Sequence, residues 1–473
     1  MKKLIKISGV SVLGLIGVIY LATAGFLWWS ETTLRVEPVN ESIYSRSKDL
    51  HHIELIDDGL LSLKKRIELI DSAKNSIDLE FFIYEIDIAG QIITQKLIEA
   101  ARRGVKVRLL VDFAAPVFVL KTAYAKQLKK NNIEVKYYNT TNNLRIVSVQ
   151  HRSHRKLLII DNTVAMTGGR NIGDDYFNLS SHYNFLDSDI VIRGPIVDSI
   201  LKSFNLYWMS NYADHPDPKQ GDVALLGEVF FTKTKASEEI LDSIKNLPLS
   251  EGSTYKSGKC NDIEFITDFP GVSLNNRQVF KYLSLALNEA KSKIYGESPY
   301  FVLRPDGISL LKELSAKGIK QDYLTNSLYS TDAFYTVSAL TNSLGSIRDT
   351  GVNLYAYSGD KPIDYLSSIN GVSERWGTHS KRAVIDNQHF IIGTYNVDPR
   401  SANLNSEVLI ICRNSPELAT HMSSSIKTRI SKAWPVVESG KSYFTNLIKS
   451  ASIYQVIKFI VVLPVAELFK FLL

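Results

Sequence analysis

The sequence predicts an α/β protein of two pseudosymmetric halves, each a mixed, largely parallel central sheet flanked by helices. Three observations lead there. The set His154, Lys156, Asp161, Gly168 and Asn171 returns as His379, Lys381, Asp386, Gly393 and Asn396, 225 positions on, with identical offsets of two, seven, fourteen and seventeen residues. Apolar stretches with strand alternation and with helical spacing follow one another in turn. The order of those stretches before the first set recurs before the second. A lone His-x-Lys pair arises by chance on any solvated face; five residue types repeated in register do not.

In the first half, Leu60, Leu61, Leu63, Ile67 and Ile70 place one apolar stripe on a helix from Leu60 to Ser72. Residues 77–83 alternate as a strand, Ile92 to Arg103 is a helix stopped by Gly104, and Val105 to Asp112 is a second strand. Tyr124 to Asn131 reads as a helix, Ile133 to Tyr138 as a strand, then Lys156 to Ile160 and Val164 to Thr167 as strands around an Asn162-Thr163 turn. Gly168-Gly169 lets the backbone approach a neighbour closely. Residues 185–192 lead into a further strand, and Ile196 to Trp208 is an amphipathic helix.

From Asn211 to Asn275 prolines and glycines break the pattern, which predicts a domain boundary and insertion. The second half repeats the first. Asn276 to Ala290 is a helix, 293–301 parallels 76–84, Leu310 to Lys317 is a helix stopped by Gly318, and 318–325 parallels 104–112. Tyr335 to Thr350 is helical and Gly351 to Tyr357 a strand. The expected organisation is thus an N-terminal membrane segment (1–29), a linker (30–58), a first half (59–215), an insertion (216–275), a second half (276–440) and an apolar tail (441–473).

The ends point to a membrane. Lys2, Lys3 and Lys6 precede an uncharged run from Ile7 to Trp29, long enough to cross a bilayer and ending in Phe26-Leu27-Trp28-Trp29. The run is long for a signal h-region, which favours an anchor, although Ala22-Thr23-Ala24 is also a cleavage-site pattern. The tail, broken by Pro464, reads as a helix or helix pair lying on a membrane surface or packed on the domain. A composition of 45% hydrophobic and 22% charged residues supports a sizeable core rather than disorder, and a net charge of +6 suits an anionic partner. Cys260 and Cys412 are the only cysteines; they make no metal signature and leave a disulfide open.

Two histidines, two lysines and two asparagines suit a phosphodiester. The lysines supply point charges and the asparagines neutral donors for phosphate oxygens. Two imidazoles allow two in-line steps, one attacking phosphorus and the other protonating the leaving oxygen and activating the acceptor. Such a site calls for no metal and no cofactor. The catalytic candidates are His154, Lys156, Asp161, Asn171, His379, Lys381, Asp386 and Asn396. Of these, Asp161 and Asp386 sit at strand ends, which favours a structural role. Asp187 and Glu407 follow their motifs by comparable stretches and suit an imidazole Nδ1–H partner. With Gly168, Gly169 and Gly393 they are the binding or orienting candidates. His151, His182 and His389 read as solvated or packed.

His154-x-Lys156-x4-Asp161 with Gly168-Gly169-Arg170-Asn171, repeated from His379 to Asn396, resembles the phospholipase D superfamily. Residues 168–177, 298–301, 324–328 with Thr331-Asp332, and 396–401 are similar to bacterial cardiolipin synthases, nearest the C-type branch. Arg382 departs from that pattern, where an apolar or hydroxylic residue is usual. The resemblance implies one site at the interface of the halves, His154 as nucleophile, His379 as acid and base, Lys156, Lys381, Asn171 and Asn396 gripping phosphate, and Asp187 and Glu407 orienting the histidines. It implies a phosphatidyltransferase making cardiolipin from phosphatidylglycerol and a second phospholipid, phosphatidylglycerol or phosphatidylethanolamine, through a phosphohistidine. The alternatives are hydrolysis to phosphatidic acid and, on the same scaffold, a nuclease. No basic groove with stacking aromatics accompanies the motifs, so no nucleic-acid partner is expected. The expected location is the bacterial inner membrane, by the N-terminal helix, with its side undetermined and a small protein partner left open.

Overall fold

The computed structural model describes residues 44–113, 122–140, 148–216, 234–272, 277–362, 364–366, 375–467 and 469–473, with positions 14, 17, 18, 21 and 22. The five early positions are helical; the rest of the expected anchor lies outside the described residues. Among the described residues no helix is long and apolar enough to cross a membrane.

In chain order the elements are β1 (Tyr44–Ser47), β2 (His51–Ile56), α1 (Gly59–Ser72), β3 (Ser76–Phe81), α2 (Ile88–Arg102), β4 (Lys106–Asp112), α3 (Thr122–Lys130), β5 (Ile133–Tyr138), β6 (Leu157–Ile160), β7 (Val164–Gly168), β8 (Tyr183–Leu186), β9 (Asp189–Arg193), α4 (Ile196–Trp208) and β10 (Ala213–Asp214). Then come α5 (Lys235–Lys245), β11 (Tyr255–Cys260), β12 (Ile263–Thr267), α6 (Val279–Leu287), β13 (Lys293–Glu297), α7 (Pro305–Ala316), β14 (Lys320–Asn326), α8 (Phe334–Arg348), β15 (Asn353–Tyr357), β16 (Arg375–Thr378), β17 (Arg382–Ile385) and β18 (His389–Gly393). The chain closes with α9 (Pro399–Asn403), β19 (Val408–Cys412), α10 (Pro416–Ile430), β20 (Ala433–Glu438), β21 (Lys441–Ser442), α11 (Phe444–Ile448) and α12 (Ile453–Ala466).

Two mixed sheets result. The first has the order β10-β5-β4-β3-β6-β7-β9-β2-β11 and the second β1-β12-β19-β18-β17-β13-β14-β15-β20-β21. The parallel portion is smaller than expected. Within these two sheets only β3-β4-β5 and β13-β14-β15 run parallel, joined by helical crossovers, and the remaining pairs are antiparallel; β8 and β16 form a separate two-stranded parallel pair. The β6–β7 and β17–β18 hairpins turn at Asp161-Asn162 and Asp386-Asn387, all four with φ between 50° and 58°. Thr163 N–H donates to Ile160 O and Gln388 N–H to Ile385 O, each at 3.0 Å, closing type I′ turns that favour Asp and Asn in the left-handed region.

The expected linker and insertion are corrected. β1, from the linker, is an edge strand of the second sheet, and β2 lies in the first. β11 and β12, from the insertion, divide in the same way: β11 pairs with β2, and β12 with β19. Strands this short, set among turn residues, leave no period to read. Apolar faces of both sheets meet in a shared middle core with α4 and α10, in which Leu157, Ile190 and Phe204 pack with Phe265, Val408 and Met422. A separate outer core covers each sheet on its far side. Cys260 on β11 and Cys412 on β19 form a disulfide that ties one sheet to the other.

Candidate active site

Two short parallel contacts between the halves build the site. β8 pairs with β16 in the register Leu186↔Thr378, so the next residues, Asp187 and His379, fall side by side. His379 N–H donates to Leu186 O at 2.7 Å. In the mirror position Ser153 bridges Ser406, which sets His154 beside Glu407, and His154 N–H donates to Ser406 O at 2.9 Å. Each histidine is therefore held by a carboxylate of the other half. His379 Nδ1 lies 2.6 Å from Asp187 Oδ2. His154 Nδ1 lies 3.0 and 3.1 Å from the two Glu407 oxygens. In both rings Nδ1 is engaged, which leaves Nε2 for chemistry.

The carboxylates are themselves fixed. Glu407 accepts from Thr394 Oγ1 and from Ser401 Oγ, the latter at 2.7 Å. Asp187 accepts from Ser188 N–H at 2.7 Å. The glycines make room for this rather than for a ligand. A Cβ on Gly169 would stand 2.2 Å from Asp187 Oδ1, one on Gly393 2.2 Å from Val408 O, and Gly168 has φ +151° against Ser188. Beneath each histidine a buried glutamate at the end of the first parallel strand takes the hydroxyl of the preceding residue: Ser153 Oγ donates to Glu80 at 2.6 Å, and Thr378 Oγ1 donates to Glu297. Glu80 and Glu297 are not among the sequence candidates, although both stand fifth in the parallel stretches 76–84 and 293–301.

Lys156 and Lys381 are buried, and each Nζ donates to the carbonyl of its own motif histidine. Asn171 is tied by Ile83 N–H at 3.2 Å and donates to Tyr176 OH at 2.9 Å. Asn396 is also buried, and its Oδ1 has no partner among the described residues. Burial lowers both histidines well below their ordinary range, and the charges of Lys156 and Lys381 act on both in the same direction. Neutral imidazoles are the form a nucleophile and a base require. Burial also brings Lys381 down to about 8, opposed by Asp187 and Glu407, and pushes Glu407 up to about 7, opposed by Lys156.

Asp161 and Asp386 do not join this group. Asp161 accepts from the N–H groups of Lys74, Asn75 and Ser76 at 2.6–2.8 Å, and Asp386 from those of Lys291, Ser292 and Lys293 at 2.7–2.9 Å. They lock the hairpin turns to the start of β3 and β13. Asp161 lies seven residues of largely extended chain from His154, a path on the order of 20 Å. Their place among catalytic candidates is corrected to a structural one. Arg382 is also structural. It donates to Glu297 at 2.7 Å and to both oxygens of Asp57 at 2.9 and 3.0 Å, joining the second half to the first. His151 is buried and packed beside Arg277, and His389 accepts from Asn414 N–H. Among the described residues no group of three or more His, Cys, Asp or Glu is arranged to hold a metal ion.

Residues 66–208 and 283–430 match the family described as cardiolipin synthase, PLD-like domain. An uncharacterized protein of Helicobacter pylori is 30% identical over 419 residues, 81% of this chain and 80% of its own. Cardiolipin synthase C of Escherichia coli K12 is 26% identical over 395 residues, 74% of this chain and 80% of its own. The crystal structure of phosphatidylserine synthase from Haemophilus influenzae superposes with a TM-score of 0.62 over 95% of this chain and 100% of that one, at 15% identity, a likeness of fold.

Proposed function

This chain belongs to the cardiolipin synthase, PLD-like domain family, and from that premise we propose that it is a membrane-associated phosphatidyltransferase that makes cardiolipin. The observation that carries the proposal is the pair of crossed carboxylate–histidine contacts, Glu407 on His154 and Asp187 on His379, beside two buried lysines. The substrate is phosphatidylglycerol. His154 Nε2 attacks phosphorus, the bond from phosphorus to the glycerol oxygen breaks, and His379 gives that oxygen its proton. Lys156 and Lys381 neutralise the phosphoryl oxygens. The phosphodiester's negative charge beside His379 favours the protonated ring that the first step needs, against the lysines that otherwise disfavour it.

In the second step the now neutral His379 takes the proton of a hydroxyl on the headgroup of a second phosphatidylglycerol. That oxygen attacks phosphorus, the bond to His154 breaks, and cardiolipin leaves. Water in the acceptor's place would give phosphatidic acid instead. Asn396, whose buried Oδ1 has no partner among the described residues, is available to accept from the acceptor hydroxyl. The disulfide between Cys260 and Cys412 favours an oxidising compartment for the two halves, and Lys2, Lys3 and Lys6 ahead of the apolar run favour a cytoplasmic N-terminus. The catalytic halves are accordingly assigned to the outer face of the cytoplasmic membrane. Expression in a bacterium lacking its own cardiolipin synthases, followed by lipid mass spectrometry, tests the activity. Cardiolipin with the wild-type chain and none with His154→Ala supports it; phosphatidic acid as the dominant product, or no product, refutes it.

A further inference from the structure

α12 has two unlike sides. Phe459 is buried, and Val456 and Leu463 pack against the outer core of the second half. Backbone contacts pin this side: Ser338 Oγ donates to Phe459 O, Asn342 Nδ2 to Leu463 O at 3.0 Å, and Gln455 Nε2 to Leu328 O at 3.0 Å. The tail thus packs on the domain. It nevertheless leaves Ile453, Tyr454, Ile457, Ile460, Val461 and Val465 exposed, Ile453 at 80% and Val461 at 68%. Those positions follow helical spacing, so they form one continuous apolar stripe. A single exposed apolar side chain needs no explanation; six on one face of one helix do.

The stripe ends at a cleft whose wall leads, ring by ring, to His379. A cleft of about 490 Å³ is lined by Tyr454 and Lys458 of α12 together with Phe334, Asp332, Arg375 and Tyr183. Tyr454 therefore belongs to both the stripe and the cleft. From the cleft wall two ring contacts reach the catalytic histidine: Tyr183 to Phe185 with centroids 4.8 Å apart, and Phe185 to His379 at 4.8 Å. The tail around the stripe is basic, with Lys449, Lys458 and Lys470 against the single acid Glu467 over residues 443–473.

We infer that the exposed face of α12 seats in the surface of an anionic lipid bilayer and sets the 490 Å³ cleft against it, so that phospholipid reaches His379 from the membrane past Tyr454 and Lys458. This rests on the phospholipid reading of the site. The occupant is chosen by chemistry. An apolar stripe bordered by Lys458 matches acyl chains beneath anionic headgroups, and the cleft it adjoins carries Lys458 and Arg375 to receive a headgroup.

Two measurements on the full chain, reconstituted in vesicles of phosphatidylcholine and phosphatidylglycerol, test it. The two native cysteines are joined to each other, so Ile457→Cys gives a single labelling site for a polarity-sensitive fluorophore, with Lys235→Cys on α5 as the reference. The probe at 457 is expected to shift to the blue and to be quenched by brominated lipid, and the probe at 235 to do neither. Equal quenching of both by a water-soluble quencher overturns the inference. So does a change of oligomeric state in the Ile457→Glu, Val461→Glu double variant, which would mean that a second copy covers the stripe. That double variant is expected to lose about tenfold or more of its activity on vesicle phosphatidylglycerol while keeping its activity on monomeric short-chain phosphatidylglycerol. Equal activity on both substrates overturns the inference. The probe reports docking whether or not lipid is turned over. Failure of the functional reading therefore shows as absent product from wild type on either substrate, separately from failure of docking.

Discussion

Changing Glu407 to Gln keeps the side chain's shape and removes its charge. The carboxylate faces His154 Nδ1 across the boundary between halves at 3.0 and 3.1 Å, and it is held there by Thr394 and Ser401. A hydrogen bond to a charged partner contributes about 1.5–3 kcal/mol. If that contribution is realised mainly as His154 takes on positive charge during attack, the barrier rises by the same amount. At about 1.4 kcal/mol per decade, turnover falls roughly 10- to 150-fold. The bound lipid does not touch Glu407 in this account, so KM should change little while kcat falls. Folding should survive, because a neutral amide replaces a buried charge that burial already disfavours. The assay is the initial rate of phosphatidyl transfer at saturating lipid, with single-turnover formation of the covalent adduct and the melting temperature measured alongside. A rate within threefold of wild type, or a loss carried wholly by KM, would refute the positioning role.

Other predictions follow from the same geometry. Lys381 is charged below about 8 and Glu407 is ionised above about 7, so kcat/KM should fall as pH rises through the first value and fall as pH drops through the second; a flat profile from pH 6 to 9 counts against both roles. Asp161→Ala should lower stability by about 1–3 kcal/mol by removing the carboxylate that accepts from three backbone N–H groups, seen in denaturant melts, while the folded fraction stays within threefold of wild-type activity. Cys412→Ser opens a loop closed over a separation of 152 residues, and loop-closure entropy puts the loss near 5 kcal/mol at most, read as a lower denaturation midpoint that reducing agent reproduces in wild type. Asp187→Asn should slow turnover as Glu407→Gln does, since His379 is held the same way across the interface.

The duplication was legible because it lies in residue types at fixed offsets. The helices Ile196–Trp208 and Gly59–Ser72 were legible because their apolar stripes are long. What escaped was decided at a distance. Asp187 and Glu407 were legible as partners for the imidazoles, but nothing local says that Glu407 holds His154; that follows from one parallel bridge between Ser153 and Ser406. Strand-end positions favour a structural role for the motif aspartates, but what they hold appears only once β6 and β3 are neighbours and three N–H groups converge on Asp161. β1 and β12 are four and five residues long, and partners far along the chain make them strands. The departure at Arg382 likewise makes sense only when Asp57 and Glu297 stand beside it.

As proposed, two half-motifs form one site in which His154 carries the phosphatidyl group and His379 moves the protons. The most direct test is to mix the protein with phosphatidylglycerol, denature it within one turnover, and locate any adduct by peptide mass spectrometry. A phosphatidyl mass is expected on the peptide containing His154, formed and discharged more slowly in His379→Ala because that ring both protonates the leaving oxygen and activates the acceptor, and absent in His154→Ala. An adduct on His379 instead, or steady turnover by His154→Ala, would contradict it.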